Sequence, residues 1–194
     1  PMHGALAPKL GGPLRSVNAR GRYHRSVALR ALYCDLDGTL FGPGGSLFTT
    51  ARGETTMAGA EACRALIDAG VQLVLVSGRT QAQTMEIARV VSASAYIAEL
   101  GAIVVVREPD HGERIVRSFG TYAGEQSPFD AMARAGAGAF LFEAFRGELE
   151  PHTPWSNNPR EATMLMRGFA PDATQVLADA GYGYTSTVTS TPRC

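Results

Sequence analysis

The sequence of 194 residues has one lysine, three cysteines and no long apolar run. The last two features each exclude a class of protein. Its three cysteines are widely spaced and odd in number, so we expect no disulfide framework. No stretch approaches the roughly 18 apolar residues of a transmembrane helix, so no membrane partner is expected. The formal net charge is zero, which gives no general reason to expect nucleic acid as a partner. These features together predict a cytoplasmic protein.

The charge is distributed unevenly along the chain. Residues 1–30 contain six basic residues and no acidic residue, and they are rich in glycine and proline. We predict that residues 1–28 form a flexible basic tail. A targeting peptide and a nucleic-acid-binding arm are the alternatives for such a composition.

Apolar runs and helical spacing alternate after this tail. We predict three strands at residues 29–34, 71–76 and 95–98, with helices at 55–69 and 80–91 between them. This order predicts an α/β fold with a partial Rossmann-like, doubly wound parallel sheet over residues 29–101.

The pattern changes in residues 102–183. We predict further strands at 103–107, 114–119, 140–145 and 162–167, and helices at 128–135 and 171–180. This part is typical of a small α+β unit with an antiparallel sheet. The last segment, residues 184–194, is predicted to be an irregular tail.

Two aspartates follow the first predicted strand at positions i and i+2. Asp35 and Asp37 are followed directly by Gly38 and Thr39. Because alternate side chains of an extended chain point the same way, both carboxylates can face one site. Two such carboxylates suit Mg²⁺. One can also attack phosphorus to form an aspartyl-phosphate while the other transfers a proton.

A small polar turn follows the second predicted strand. It consists of Ser77, Gly78 and Arg79, and the next helix begins directly after it. Backbone N–H groups and the positive helix N-terminus at such a turn can bind a phosphate, so we predict this role for Ser77 and Gly78. Arg79 is interpreted either as a phosphate or substrate contact or as a structural salt bridge. Arg160 is a further candidate contact for an anionic group of the substrate.

These segments resemble the motifs of the haloacid dehalogenase (HAD) superfamily. The run from Asp35 to Thr39 resembles motif I, and residues 73–79 resemble motif II. Residues 98–102 resemble the Glu-Asn-Gly-Ala segment that leads into the cap of the C2B (IIB), Cof-like or mannosyl-3-phosphoglycerate phosphatase-like group, although Leu100 stands where that group has Asn. The resemblance implies that residues 29–101 are the first half of a HAD core and that residues 102–183 are a C2-type α+β cap.

The resemblance also implies a function. The implied activity is Mg²⁺-dependent hydrolysis of a phosphomonoester of a small metabolite, with a sugar phosphate as the expected substrate. Asp35 would be the nucleophile and a metal ligand, and Asp37 the general acid/base and a second metal ligand. Gly38 and Thr39 would shape the phosphate-binding loop. A phosphomannomutase-like phosphotransferase is an alternative within the same superfamily.

Two expected HAD motifs are missing from this sequence. Motif III needs a basic residue, and the chain's one lysine, Lys9, lies upstream of motif I. Motif IV needs further acidic residues, and no Gly-Asp-x-x-x-Asp pattern follows residue 99. We therefore expect a truncated chain with weak or absent turnover and an exposed sheet edge through which it could self-associate. A non-catalytic HAD remnant or interaction module is the corresponding alternative.

Overall fold

A computed structural model describes residues 28–108, 112–122, 124–152 and 159–183. The tails predicted at residues 1–28 and 184–194 lie outside the described residues, apart from residue 28. In the described part no helix is long and apolar enough to cross a membrane.

A mixed five-stranded sheet forms the first part of the fold, with its strands in the order β1-β2-β3-β4-β5. The strands are β1 (Ala31–Asp35), β2 (Gln72–Val76), β3 (Ala95–Ala98), β4 (Ile103–Glu108) and β5 (Gly112–Arg117). Strands β1, β2 and β3 are parallel, and β4 and β5 continue the sheet as an antiparallel hairpin. Helices α1 (Ala58–Asp68) and α2 (Gln81–Val90) connect the parallel strands. The predicted partial Rossmann-like α/β core is therefore confirmed.

The apolar runs of the sequence form the core of this sheet. Leu75, Tyr96 and Ile103 are fully buried, and Cys63 of α1 and Ala88 of α2 pack in the same cluster. Burial of a large apolar side chain contributes about 1.5–3 kcal/mol, so these strands stabilise the layer as well as position its ends.

Strand β1 lies at one end of the strand order, and its apolar side chains are poorly covered. Tyr33 is 67% exposed and Leu32 is 38% exposed. Among the described residues, no strand pairs with the outer side of β1. This arrangement agrees with the predicted exposed sheet edge.

The second part of the fold is smaller and mostly helical. It contains α3 (Pro128–Arg134), α4 (Ala137–Ala144), α5 (Ala173–Asp179), β6 (Leu149–Pro151) and β7 (Met166–Gly168). Strands β6 and β7 pair antiparallel, and the helices share a small core in which Leu141 and Leu177 are buried. The helices predicted at 128–135 and 171–180 are confirmed, and the strand predicted at 162–167 begins only at Met166.

The strand predicted at residues 140–145 is wrong. Residues Ala137–Ala144 form helix α4, with Ala137, Gly138 and Leu141 buried. The buried positions i and i+4 lie on one helical face. An uninterrupted apolar run gives no periodicity by which a strand can be told from a buried helix, and this explains the error.

The β4–β5 hairpin belongs to the first sheet. Its strands were grouped with the second unit in the predicted division at residue 102, whereas Ile103 pairs with Ala98 of β3. The core sheet thus continues past that boundary, and the division into core and cap stays a prediction.

Candidate functional site

The loop after β1 presents both aspartates to solvent. Asp35 is the last residue of the strand, Leu36 is fully buried, and Asp37 is exposed again, so the alternation of the strand continues for two residues. The chain then turns back, because the N–H groups of Thr39 and Phe41 both donate to the Leu36 carbonyl. Leu36 therefore anchors the loop while the two carboxylates remain accessible.

Gly38 and Thr39 shape this loop. Gly38 has a φ of +88°, in the left-handed region that favours glycine. The hydroxyl of Thr39 donates to Oδ2 of Asp35 over 3.2 Å. The predicted nucleophile is thus oriented by a side chain of its own loop.

The turn after β2 lies at the same edge of the sheet. Asp35 is in register with Val76, so Ser77 follows directly beyond the aspartate-bearing end of β1. Ser77 is only 4% exposed, and its hydroxyl oxygen accepts the N–H of Arg79 at 3.1 Å. Thr80 then caps α2 through a reciprocal pair of hydrogen bonds with Gln83. The first turn of α2, with its positive dipole end, therefore follows this edge.

Arg79 forms an ion pair with Asp37. Its Nε donates to Oδ2 at 2.8 Å and its Nη2 donates to Oδ1 at 2.5 Å, so both carboxylate oxygens of Asp37 are engaged. The guanidinium also lies over the ring of Phe41, 5.6 Å from its centroid. Of the two interpretations of Arg79, the structure shows the salt bridge.

Arg160 reaches the same turn from the second part of the chain. Its Nη1 donates to the carbonyl of Gly78 at 3.0 Å and to the hydroxyl of Thr163 at 2.6 Å. Burial lowers the pKa of Arg160, and the carboxylate of Glu99 partly opposes this shift. The guanidinium of Arg79 therefore belongs to the predicted phosphate-binding turn, and the guanidinium of Arg160 contacts it.

Glu99 is a residue to which the sequence analysis gave no role. It lies directly after β3 and is 1% exposed. Its carboxylate accepts the N–H groups of Glu161, Ala162 and Thr163 at 2.8–3.2 Å, and the Thr163 hydroxyl at 3.2 Å. The sequence carries two signals for it: an acidic residue directly after a buried strand, and its place in the segment that resembles Glu-Asn-Gly-Ala.

The acidic loop offers two oxygens that could serve as ligands of a magnesium ion, Oδ1 of Asp35 and the carbonyl of Asp37. No N–H or O–H of the described residues donates to Oδ1 of Asp35 or to the carbonyl of Asp37. Within the described ranges, no group of three or more His, Cys, Asp and Glu side chains could hold a metal. Mg²⁺ is commonly bound by one or two carboxylates together with waters and substrate phosphate, so two protein ligands are compatible with it.

The structure therefore brings the predicted residues together at one edge of the sheet. Asp35 is the last residue of β1, six of the eight follow β1 or β2, and Arg160 joins them through its bond to Gly78. The eight residues are Asp35, Asp37, Gly38, Thr39, Ser77, Gly78, Arg79 and Arg160. Their catalytic and binding roles stay predictions. The fold and the site define the class of the protein as a Rossmann-like α/β protein with a paired-aspartate loop beside a helix N-terminus.

Comparison with protein families gives one match, in the first part of the chain. Residues 32–119 match the family of haloacid dehalogenase-like hydrolases, and this segment contains both strand-end loops. Over this segment the chain is similar to haloacid dehalogenase-like hydrolases. A search of curated proteins found no significant match.

Several solved structures resemble the chain at low identity. A HAD phosphatase of Bacteroides thetaiotaomicron, BT1666, is 18% identical, with 88% of this chain and 54% of that chain covered and a TM-score of 0.43. The Thermoplasma acidophilum protein 0175 is 19% identical, with 79% and 57% covered and a TM-score of 0.49. The subclass IIB sugar phosphatase BT4131 is 23% identical, with 57% and 38% covered and a TM-score of 0.35. The chain thus spans little more than half the length of the first two structures.

Proposed function

We propose that the protein is a Mg²⁺-dependent phosphatase that hydrolyses a phosphomonoester of a small metabolite, with a sugar phosphate as the favoured substrate. The observation that carries the proposal is the placement of Asp35 and Asp37 at the end of β1, beside the Ser77–Arg79 turn at the end of β2. Open α/β sheets bind their ligands at this edge. The match of residues 32–119 to a family of hydrolases supports the same reaction class.

The proposed reaction has two steps at phosphorus. An Asp35 oxygen attacks the phosphoryl group, the bond from phosphorus to the ester oxygen breaks, and the departing oxygen takes a proton from the carboxylic acid of Asp37. Water then attacks the aspartyl-phosphate and gives a proton back to Asp37, which releases phosphate and restores the Asp35 carboxylate. The hydroxyl of Ser77 and the N–H groups that follow it would hold the phosphoryl oxygens.

The ion pair of Arg79 with Asp37 must open in this cycle. Both oxygens of Asp37 are occupied by Arg79, so the carboxyl cannot reach a leaving group while the pair is intact. A phosphate dianion offers the guanidinium a bidentate partner of higher charge. We infer that the substrate draws Arg79 away from Asp37, which joins the two interpretations of this arginine in one cycle.

The metal would be held by the carboxylate of Asp35 and the main-chain carbonyl of Asp37. When bound, the ion would neutralise charge on the transferring phosphoryl group. We also propose that the part of the predicted C2-type cap, residues 102–183, that follows the β4–β5 hairpin lies over this edge. The bonds of residues 160–163 to Gly78 and Glu99 support this assignment.

The test is Mg²⁺-dependent phosphate release from a panel of sugar phosphates by the 194-residue chain. We expect Asp35→Asn to lower turnover by at least about 10³-fold, because it removes the nucleophile. Asp68→Asn, at the exposed C-terminal end of α1, is the matched control and should retain full activity. Equal rates for the chain and Asp35→Asn, with and without a chelator, would contradict the proposal.

A non-catalytic module is the second candidate, and one observation favours it. The Asp37 carboxylate is fully engaged by Arg79, and the described residues contain no third acidic, histidine or cysteine ligand beside Asp35 and Asp37. This candidate predicts that the chain binds inorganic phosphate without releasing it from any ester. Transfer of the phosphoryl group to a second sugar in the same assay would instead identify a phosphotransferase.

A further inference from the structure

The Glu99 carboxylate joins two segments that are about sixty residues apart in the chain. Its oxygens accept three consecutive backbone N–H groups, from residues 161 to 163, and one hydroxyl. A buried carboxylate needs several charge-assisted hydrogen bonds to offset its loss of water. Because these donors come from one short segment, the position of that segment depends on Glu99.

The backbone of Glu99 is fixed to the phosphate-binding turn at the same time. Its N–H donates to the Arg79 carbonyl at 3.0 Å, and the N–H of Leu100 donates to the Ser77 carbonyl at 3.2 Å. Glu99 and Leu100 have φ values of +48° and +58°, a conformation that non-glycine residues adopt rarely and at a cost. The fold therefore maintains an unfavourable backbone where the turn and the buried carboxylate meet.

Arg160 is placed by this arrangement. It directly precedes the segment that binds Glu99, and its guanidinium contacts the hydroxyl of Thr163, which is itself a donor to Glu99. The other contact of the same guanidinium nitrogen is the Gly78 carbonyl in the phosphate-binding turn. Without the Glu99 carboxylate, the N–H groups of residues 161–163 and the Thr163 hydroxyl would lose their acceptor. Arg160 would then lose the support of the backbone that follows it and of its hydroxyl partner.

The segment 160–163 also takes part in an ion pair, which differs from the Glu99 contact because it is partly exposed. Arg117 of β5 holds the Glu161 side chain in a bidentate pair, which lowers the pKa of Glu161. This pair is partly exposed, and exposed pairs contribute little to stability. It therefore provides a matched comparison for the buried contact.

We propose that Glu99 is a positioning residue: its carboxylate docks residues 160–163 onto the Ser77–Arg79 turn and so holds the Arg160 guanidinium beside the phosphate site. The proposal rests on the proposed function for the identity of that site. Glu99 itself touches no reacting atom in this scheme. Its effect on a bound anion passes through Arg160.

Hydrogen exchange tests the docking without any need for activity. In Glu99→Gln the amide protons of residues 161–163 should exchange at least about tenfold faster than in the unmodified chain, because the amide side chain replaces one carboxylate oxygen with a donor. Glu161→Gln, which breaks only the partly exposed pair with Arg117, should leave their exchange nearly unchanged. Unchanged protection of these three amides in folded Glu99→Gln would overturn the proposal.

Binding of inorganic phosphate, measured by calorimetry, tests the link to Arg160. We expect Glu99→Gln and Arg160→Gln each to weaken binding about tenfold, and the double variant to bind no more weakly than Arg160→Gln alone. Thr163→Val is a milder variant that keeps the fold if Glu99→Gln does not, and it should weaken binding severalfold. Losses that multiply in the double variant would show that Glu99 acts independently of Arg160 and would overturn the proposal.

The two proposals fail in different ways. If the unmodified chain binds no inorganic phosphate and releases none from any ester, the proposed function is refuted, and the phosphate part of the positioning role with it. The exchange result still decides whether Glu99 docks residues 160–163. If phosphate binds and esters are hydrolysed while Glu99→Gln changes neither binding nor exchange, only the positioning role is refuted.

Discussion

Replacing Tyr96 by phenylalanine should stabilise the protein, whereas most core substitutions destabilise. Tyr96 is the largest fully buried side chain, and its hydroxyl has no hydrogen-bond partner among the described residues. A buried donor without a partner costs about 1–3 kcal/mol of desolvation. The oxygen also makes packing contacts that phenylalanine loses, so we expect a net gain of about 1 kcal/mol in the free energy of unfolding.

The pH dependence gives an independent readout of the same hydroxyl. Burial raises the pKa of Tyr96 above its ordinary value of 10.0. The Gln81 side chain, which is near the hydroxyl but makes no hydrogen bond of normal geometry to it, opposes this shift, while Glu113 adds to it and Arg107 opposes it. Above pH 10 the unfolded chain therefore loses this proton while the folded chain keeps it, so the stability contributed by the neutral group falls as the pH rises. The advantage of Tyr96→Phe should accordingly widen above pH 10.

Guanidinium unfolding followed by circular dichroism, at pH 7 and at about pH 10.5, measures both effects. A gain of 1 kcal/mol corresponds to a rise of about 2–4 °C in the melting temperature for a chain of this size. Tyr33→Phe, on the exposed edge strand, is the control and should change stability by less than about 0.5 kcal/mol. A loss of 1 kcal/mol or more in Tyr96→Phe at pH 7 would show that the hydroxyl has a partner, with Gln81 the first candidate, and would refute the reasoning.

Three further substitutions test other parts of the structure. Thr80→Ala should lower the free energy of unfolding by about 1 kcal/mol, because it removes the reciprocal cap with Gln83, and unchanged thermal unfolding would contradict that role. Arg79→Gln should lower kcat/KM for a sugar phosphate by about 10–100-fold, because it removes one charge-assisted hydrogen bond to the phosphate. Arg89→Gln, on the exposed face of α2, is the control and should have no effect. Leu32→Lys should reduce self-association in sedimentation velocity if β1 is the edge involved, and an unchanged sedimentation profile would exclude that edge.

The parallel half of the sheet could be predicted because its signals are local. Each of the first three strands is a short apolar run, and each helix between them has a clear start or stop signal such as Thr80 or Gly70. The residues that follow these strands could then be placed at one edge by topology alone, since parallel strands end on the same side. The pairing of Asp35 with Val76 confirms this reasoning.

The contacts of the arginines could not be predicted from sequence. Arg79 was open to two interpretations because the same guanidinium suits a phosphate and a carboxylate. The fold brings it to the carboxylate of Asp37, which lies forty-two residues earlier in the chain. Arg160 was expected to contact substrate, and the structure shows that part of its donor capacity is used on the Gly78 carbonyl.

Glu99 shows most clearly why the rest of the site required the structure. An acidic residue after a buried strand is ordinarily a solvated loop residue, since most glutamates are exposed. Its burial depends on donors 62–64 positions later in the chain, and those donors are backbone N–H groups, which every residue except proline has. No residue type in the 161–163 segment encodes this role, apart from the hydroxyl of Thr163. A contact of this kind follows from the folded path of the chain, so only the structure could show that Glu99 holds residues 161–163 next to the Ser77–Arg79 turn.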